Sequence, residues 1–495
     1  MARAILAIDQ GTTNTKVLLV DEHSKLLRRV SLPVPVEVPR PGWVQQDAGV
    51  LWQIVQEAIY RALDNTPGTR LAAVAITNQR ESIIAWDRHS GEPLGPCISW
   101  RCKRTVPICE ALRQQGWAER VTSRTGLPLD ASFSASKARW LLDHIPDGQR
   151  RAEAGDLCLG TVDSWLLWKL TAGAVHATDV SNASRTLLFD IHRCQWDEML
   201  LDLFGIPKAA LPEVRLSSGW FGETDRCGLM PGGVGIAAMV GDSHAALFGH
   251  GLFAPGGVKA TYGTGSSVMG RVDVPPARPG GLSVTIAWGL AGRVYYAVEG
   301  NILSAGEAVR WVGSLLGLEG EVCRLVELAS SVEDSAGVYF VPALTGLGAP
   351  YWDERAQGIL CGLSEVTTRA HVARAAIEAI AFQVAEVFHA LEPVLDVPCA
   401  LLRADGGASQ NDWLMQFQAD ILGRPVMRSR NPEMSALGAA WLAGLALGWW
   451  SLEELSGYAT LTDVFEPKMS EAARQERWRG WRLAVERARL RGPKS

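Results

Sequence analysis

Two glycine–threonine turns and two carboxylates carry the chemistry this sequence can do. The first turn, Gln10-Gly11-Thr12-Thr13-Asn14-Thr15, follows Asp9 and separates the apolar runs Ala4–Ile8 and Lys16–Val20. Gly11 lets the backbone turn tightly and approach a ligand. Thr12, Thr13 and Asn14 supply hydroxyl, amide and main-chain donors, a set that can wrap phosphate oxygens. A carboxylate beside phosphates, here Asp9, suits Mg²⁺ directly or through water. Taken alone, the stretch is equally an ordinary hairpin with a polar turn. A second turn, Gly263-Thr264-Gly265-Ser266-Ser267, repeats the layout of strand, Gly/Thr/Ser turn and strand. Further on, Asp405-Gly406-Gly407 leads towards Asn411 and a helix, and adjacent glycines there let a flat base or a phosphate reach the backbone. Asp242 lies between the apolar run Ile236–Val240 and a helix-like segment. It is either a helix N-cap or a general base held in a cleft. Asn78-Gln79-Arg80-Glu81 ends another strand, where opposite charges can grip a polar ligand or simply form a solvated loop.

These groups need an α/β frame, and strand and helix signals alternate along the chain. Helical periodicity marks Val50–Leu63, Val106–Gln115, Phe133–His144, Ile302–Leu316, Ala370–Leu391 (stopped near Pro393), Asp412–Leu422, Met434–Leu447 and Glu471–Arg491. Strands are expected at Leu71–Thr77, Tyr295–Glu299 and Ala400–Ala404. Leu157–Leu170 reads as a strand running into a helix, with Asp163 as N-cap. His244 reads as structural. The helix Met434–Leu447 is rich in small residues and suits close packing at a hinge or domain contact. With 495 residues, two or three domains are expected. Gly251–Val258 is the best linker. Two phosphate-type turns, one in each half, suggest two similar domains around a shared cleft: residues 1–250 and 257–495.

Composition is ordinary for a globular protein, 47% apolar and 20% charged. A net charge of −5 gives no electrostatic reason to expect nucleic acid or an anionic membrane. No apolar run approaches the roughly 18 residues that span a bilayer. Nine scattered cysteines without a CxxC pair point to a reducing, cytoplasmic setting. Phosphate cradles, a metal carboxylate and a base are what phosphoryl transfer requires. No Walker A or protein-kinase signature is present.

The segments DQGTTNTK, ITNQRE, ISWRCKRT, GTVDSWLLWKLT, SNASRTLLFDI, GDSHAALFG, YGTGS, FVPALTGLGAPYWD and DGGASQNDWLMQFQADILG occur in order between about residues 4 and 490. Together they strongly resemble the FGGY carbohydrate kinases, and among these the glycerol kinases. The resemblance implies two ribonuclease-H-like domains, actin/hexokinase-type, with an interdomain cleft. It also implies Mg-ATP-dependent phosphorylation of a terminal hydroxyl on a small polyol or sugar. On matching positions, Thr12, Thr13, Asn14, Lys16, Thr264, Gly306, Arg310, Gly407 and Asn411 would meet the nucleotide, with Lys16 standing where Arg is usual and Arg310 where Gln is frequent. Asp9 would lie near the metal and Asp242 would take the proton of the attacking hydroxyl. Arg80, Glu81 and Trp100 would hold the acceptor. The resemblance allows a homodimer or homotetramer.

Three departures stand out: Ser132, Ser243 and Ser267 occupy places where the glycerol-kinase pattern has Tyr, Gln and Phe. Small hydroxyl side chains leave room and add hydrogen-bond partners, so the acceptor is expected to be longer than glycerol, a four- or five-carbon polyol or a ketose. A true glycerol kinase with an altered pocket is the alternative. A non-catalytic sugar-binding regulator on the same fold would call for loss of Asp9 or Asp242, or an added DNA-binding element, and neither is seen. The segment from Arg226 to Gly235 lacks the basic, Gly-rich character linked to fructose bisphosphate control, so that regulation is expected to be absent.

Overall fold

The computed structural model describes residues 2–64, 69–225, 230–277, 279–318, 321–459 and 461–490. Residues 226–229, part of the segment on which the expectation about sugar-bisphosphate control rests, lie outside them.

The first apolar runs form an antiparallel hairpin, Ala2–Gln10 with Asn14–Asp21, in which Asp9 stands opposite Lys16. Leu6, Ile8, Val17 and Leu19 face one core; Ile5, Ala7, Leu18 and Val20 face another. The sheet is therefore buried on both sides, which is why these strands read as continuous apolar runs rather than alternating ones. Leu26–Pro33 extends the hairpin antiparallel. On the other side, Thr69–Asn78 and then Gly235–Gly241 pair in parallel, and Ser218–Glu223 closes the edge antiparallel.

The second sheet repeats this plan. Val258–Tyr262 forms a hairpin with Ser266–Val272, and Arg293–Ile302 pairs antiparallel beyond it. Leu402–Asp405 and Val426–Ser429 add in parallel on the opposite side, followed by antiparallel Leu461–Phe465. Ser283–Leu290 is an added outer strand. The chain is thus two α/β domains of like topology, each with a Gly/Thr turn joining its first two strands.

Most sequence-based elements are present with small shifts at their ends. Asp412–Leu422 is a helix over those same residues, capped by the Asn411 side chain, which accepts from the Leu414 N–H, and stopped by Gly423 at φ 67°. Two expectations need correction. Asp163 is not an N-cap: Thr161 precedes the helix Val162–Leu170, and the Asp163 carboxylate instead accepts from the Thr161 and Thr178 hydroxyls. The helix expected from Ile302 starts at Gly306, because Ile302 still pairs with Ser266 in the sheet.

Met434–Ala446 belongs by sequence to the second half but packs on the first sheet beside the helix Asp242–Gly249. A Cβ at Gly438 would stand 1.9 Å from the Ala245 carbonyl oxygen, and one at Gly249 would stand 2.6 Å from that of Met434. Only glycine lets the two helix backbones approach this closely, and the contact locks the helix that begins with Asp242. The C-terminal helix Glu471–Arg489 buries Trp478 and Trp481, the latter stacked on Phe382 at 4.9 Å.

Candidate active site

The carboxyl ends of the parallel strands in both sheets open on one cleft, the usual ligand position in such sheets. A cavity of about 750 Å³ fills it, lined from both domains by Asp9, Thr12–Asn14, Lys16, Arg80, Glu81, Trp100, Asp242, Ser243, Thr264, Ser267, Gly306, Arg310, Gly407 and Asn411.

At one end lies a network of charges. Arg80 and Glu81 follow the strand Thr69–Asn78 after Gln79, and Glu81 is held at φ 63°, a costly backbone for a residue of this kind. Arg80 donates to Glu299 Oε1 at 2.6 Å, and its Nε lies 3.1 Å from Asp242 Oδ1. Arg185 donates to Glu81 Oε1 at 2.6 Å and lies 2.9 Å from Glu299 Oε2. Ser267 donates to Glu299 Oε1 at 2.5 Å. Arg80, Glu81 and Arg185 come from the first domain, whereas Glu299 and Ser267 come from the second. Burial pushes the Glu299 carboxyl up, but Arg185 and Arg80 outweigh it and hold the group well below the usual carboxylate range. Glu299 therefore stays charged and ties the domains together.

Asp242 is the first residue of the helix Asp242–Gly249, and Gly241 is the N-cap. Its carboxylate accepts from the Ser243 N–H at 2.6 Å and is 34% exposed towards the cleft. Burial among protein on its other sides raises its pKa above the ordinary value of 3.8; Arg80 opposes the rise and Glu81 adds to it. Such a group is more basic than a free carboxylate, as a base needs. Behind it the fully buried Lys259 donates to Ser243 Oγ at 2.8 Å and Thr261 Oγ1 at 2.9 Å. Burial brings the Lys259 amine down to about 8, against the pull of Asp405 and Glu299. His244 is buried with its pKa driven well below 6.5 by burial, and its Nε2 meets Thr285 Oγ1 at 3.2 Å, a structural histidine.

At the other end the two Gly/Thr turns meet. Thr13 Oγ1 and Thr264 Oγ1 are 3.0 Å apart. Trp100 donates from Nε1 to Thr12 Oγ1 at 2.9 Å, and its ring edge lies 3.3 Å from where a Cβ on Gly265 would stand. Arg101 pairs with Glu307 across the same gap. The start of the helix Gly306–Leu315 docks on the second turn through Gly306 N–H to the Gly263 carbonyl, 3.1 Å. Arg310 lies one turn further along that helix and is exposed. Gly406 takes φ 91° with Tyr262 backbone against it, whereas a Cβ at Gly407 would meet nothing within 4 Å, so a main-chain ledge faces the open cavity. That ledge and the hydroxyl-rich turns fit a nucleotide.

The N-terminal-domain pattern of the FGGY family of carbohydrate kinases matches residues 4–249, and its C-terminal-domain pattern matches residues 258–447. The chain belongs to the FGGY family of carbohydrate kinases. This FGGY kinase is 49% identical to the apulose kinase of Pectobacterium atrosepticum over 490 residues, 98% of each chain. It is 46% identical to the glycerol kinase of Symbiobacterium thermophilum over 490 residues, again 98% of each chain. The crystal structure of Plasmodium falciparum glycerol kinase with ADP matches it with a TM-score of 0.88 at 32% identity, covering 99% of each chain. No helix among the described residues is long and apolar enough to cross a membrane. The eight described cysteines are all free.

Of the residues given a catalytic, substrate, nucleotide or metal role from the sequence, Ser132 alone is not among those lining the cavity of this FGGY kinase. Its hydroxyl and N–H both go to Asp130 Oδ1, at 2.5 and 2.7 Å, and it is 7% exposed. Ser243 and Ser267 do line the wall. Lys16 pairs with Glu433 at 2.5 Å, and Arg29 shares that carboxylate at 2.6 Å. Sequence reasoning missed Glu299, Arg185, Lys259 and Glu433. One signal was available for Glu299, Arg185 and Lys259: each is a lone charge amid apolar or small residues, and buried charges must be paired; Glu433, close behind Arg428 and Arg430, carries no such mark.

Proposed function

We propose that this kinase transfers the terminal phosphoryl group of ATP to a terminal hydroxyl of a four- or five-carbon polyol or ketose, within the cytoplasm. The acceptor hydroxyl is held at Asp242 by Arg80, Glu81 and Trp100. Asp242 takes its proton as the oxygen attacks the terminal phosphorus and ADP departs. Thr12, Thr13, Asn14, Lys16 and Thr264 hold the phosphates between the two turns; Gly306, Arg310, Gly407 and Asn411 form the nucleoside end. The Asn411 carbonyl caps a helix, which leaves its amide nitrogen free to donate.

The observation that carries the acceptor length is the cleft wall itself. Ser243 and Ser267 present short hydroxyl side chains beside Arg80 and Asp242, where bulkier Gln and Phe are the glycerol-kinase pattern. A single methylene of misfit in a pocket is worth about 1–3 kcal/mol, so a wall this open positions a three-carbon molecule poorly. Ser132 adds nothing to this wall directly. The 49% identity to a kinase named for apulose rather than glycerol fits an acceptor other than glycerol. A glycerol kinase with an altered pocket is the second reading, favoured by 46% identity to a protein of that name. A coupled ADP-release screen over glycerol, tetritols, pentitols and ketopentoses decides between them. The highest kcat/KM is expected with a four- or five-carbon acceptor, and a maximum at glycerol would overturn the proposal.

Mg²⁺ fits the site. Among the described residues no cluster of three or more His, Cys, Asp or Glu could cage a metal alone, which matches an ion held by one carboxylate plus substrate phosphates. Asp9 is buried at 6% exposure, and its cross-strand neighbour Lys16 pairs with Glu433 instead. Burial drives the Asp9 carboxyl up from 3.8 to about 7, Lys16 opposing and Asp242 and Glu433 adding to the rise. A cation bound beside Asp9 would favour its charged form. When bound, Mg²⁺ supplies positive charge against the phosphate oxygens.

The sign of the pH effect follows. With its folded pKa above the unfolded one, Asp9 makes the ligand-free protein less stable as pH rises through the window from about 4 to 7. A cation that displaces the proton removes that penalty, and below about 7 it must compete with the proton, losing up to about tenfold in affinity per pH unit. The extra thermal stabilisation by Mg-ADP over ADP alone is expected to be larger at pH 8 than at pH 6, and to vanish in Asp9→Asn. Equal stabilisation at both pH values would remove Asp9 from the metal site.

A further inference from the structure

Asn301 lines the cleft and faces the charged network from the second domain. It lies two residues beyond Glu299 on the strand Arg293–Ile302, so the two side chains share a face of the sheet. Its cross-strand partner is Ser267, which places their side chains side by side. With the carboxamide oriented to suit its neighbours, its nitrogen donates to Glu299 Oε2 and Oε1 at 2.9 and 3.0 Å, and its oxygen accepts from Arg185 Nη2 at 3.0 Å. The two oxygens of one carboxylate lie too close together in angle to take both divergent N–H bonds. One hydrogen is therefore shared between them, and the second N–H and one oxygen lone pair remain. Asn301 is only half-buried, so this capacity is open to the cavity.

The contacts also set a direction. Asp242 touches Arg80 at Nε, Arg80 touches Glu299 at Nη1, and Glu299 touches Asn301. A molecule whose reacting hydroxyl sits at Asp242 must run the width of the Arg80 guanidinium before it meets Asn301. We infer that Asn301 is a specificity-determining residue of this kinase: with Ser267 it binds an oxygen at the end of the acceptor remote from the hydroxyl that is phosphorylated. The chemical class this selects is a polyol or ketose with a hydroxyl or carbonyl oxygen beyond its third carbon. The inference rests on the proposed function and narrows it. A hydrogen-bonding site of this kind rejects molecules that lack the matching group, because its own polar atoms are then left unpaired.

The test is the ratio of kcat/KM for the best four- or five-carbon acceptor to that for glycerol, in the full-length enzyme and in Asn301→Ala. The ratio is expected to fall by about ten- to a hundredfold, mainly through KM of the longer acceptor. Acceptor-induced thermal stabilisation without nucleotide should shrink for the longer acceptor in parallel, a readout independent of turnover. A merely structural Asn301 would depress every acceptor alike, and an unchanged ratio for that reason or any other overturns the inference. Should Asn301→Ala fold poorly, Asn301→Ser is measured in the same way. The two proposals fail separately. If glycerol is the best acceptor of the unaltered enzyme, the proposed function falls while the ratio still reports on Asn301; if a longer acceptor wins and the ratio does not move, Asn301 alone falls.

Discussion

Asp242→Asn is expected to lower kcat by about 10²- to 10⁴-fold, the range set by losing a positioned general base, while ATP still binds. Asparagine keeps the size of the side chain, and its carbonyl can still accept from the Ser243 N–H that now reaches Asp242 at 2.6 Å. What it loses is the capacity to take a proton, together with the charge that faces Arg80. Loss of charge alone would free Arg80 to turn wholly to Glu299 and would weaken acceptor binding, a change in KM. Loss of the base appears in kcat. Steady-state kinetics at saturating acceptor separates the two, and fluorescence titration with ATP shows whether the nucleotide end survives. Retained turnover at saturating acceptor would remove Asp242 as the base. The same variant tests the binding-protein reading, in which wild-type and Asp242→Asn chains would release equally little ADP when acceptor is added.

The frame of strands and Gly/Thr turns around the cleft was legible because it is local. Asp9 and the turn behind it, Lys259 to Ser267, and Asp405 to Asn411 each occupy a few consecutive residues, and a strand, a Gly/Thr turn and a second strand announce themselves by composition. Helix Asp412–Leu422 was legible to the residue because its start signal, Asn411, and its stop signal, Gly423, both lie in the sequence. The acceptor end was not legible in the same way. Glu299 meets Arg80 and Arg185, which precede it by 219 and 114 residues (299−80 and 299−185). Those contacts exist only after both sheets have formed and the cleft has drawn together. Ser132 shows the opposite error. Its type and its place in a motif pointed to the cavity wall, but an acidic neighbour two residues back, Asp130, holds its hydroxyl, and sequence spacing alone cannot weigh a local hydrogen bond against an outward rotamer. Asp163 was misplaced by a similar margin, because Thr161 two residues earlier holds the N-cap position and the helix begins at Val162.

Glu299→Ala is expected to destabilise the protein by about 3–5 kcal/mol, the cost of breaking a buried ion pair from one side. Arg185 is fully buried, Arg80 is 7% exposed, and Glu299 meets both guanidiniums from the opposite domain. Without it, Arg185 keeps Glu81 as its ion-pair partner beside the Asn301 oxygen, and Arg80 keeps Asp242, so each of two buried cations loses a carboxylate that neutralised it. The loss falls on one interface, because Glu299 is the second domain's anchor for both arginines and Ser267 donates to the same carboxylate. Chemical denaturation should therefore show the midpoint falling, with the early part of unfolding marked by exposure of Trp100, whose ring bridges the two Gly/Thr turns. Glu299→Gln keeps the side chain's shape: its one oxygen still accepts from Arg80 and Ser267, while its NH2 faces the Arg185 and Asn301 donors that the second carboxylate oxygen had served, so it should recover part of the stability but little of the activity. With the negative charge at position 299 gone, Arg80 would act more strongly on Asp242 and lower its basicity, which shifts the acidic limb of the kcat profile to lower pH. A Glu299→Ala protein as stable as the unaltered one would mean that the two arginines are solvated in the free enzyme, and that the charged network closes only when the acceptor arrives.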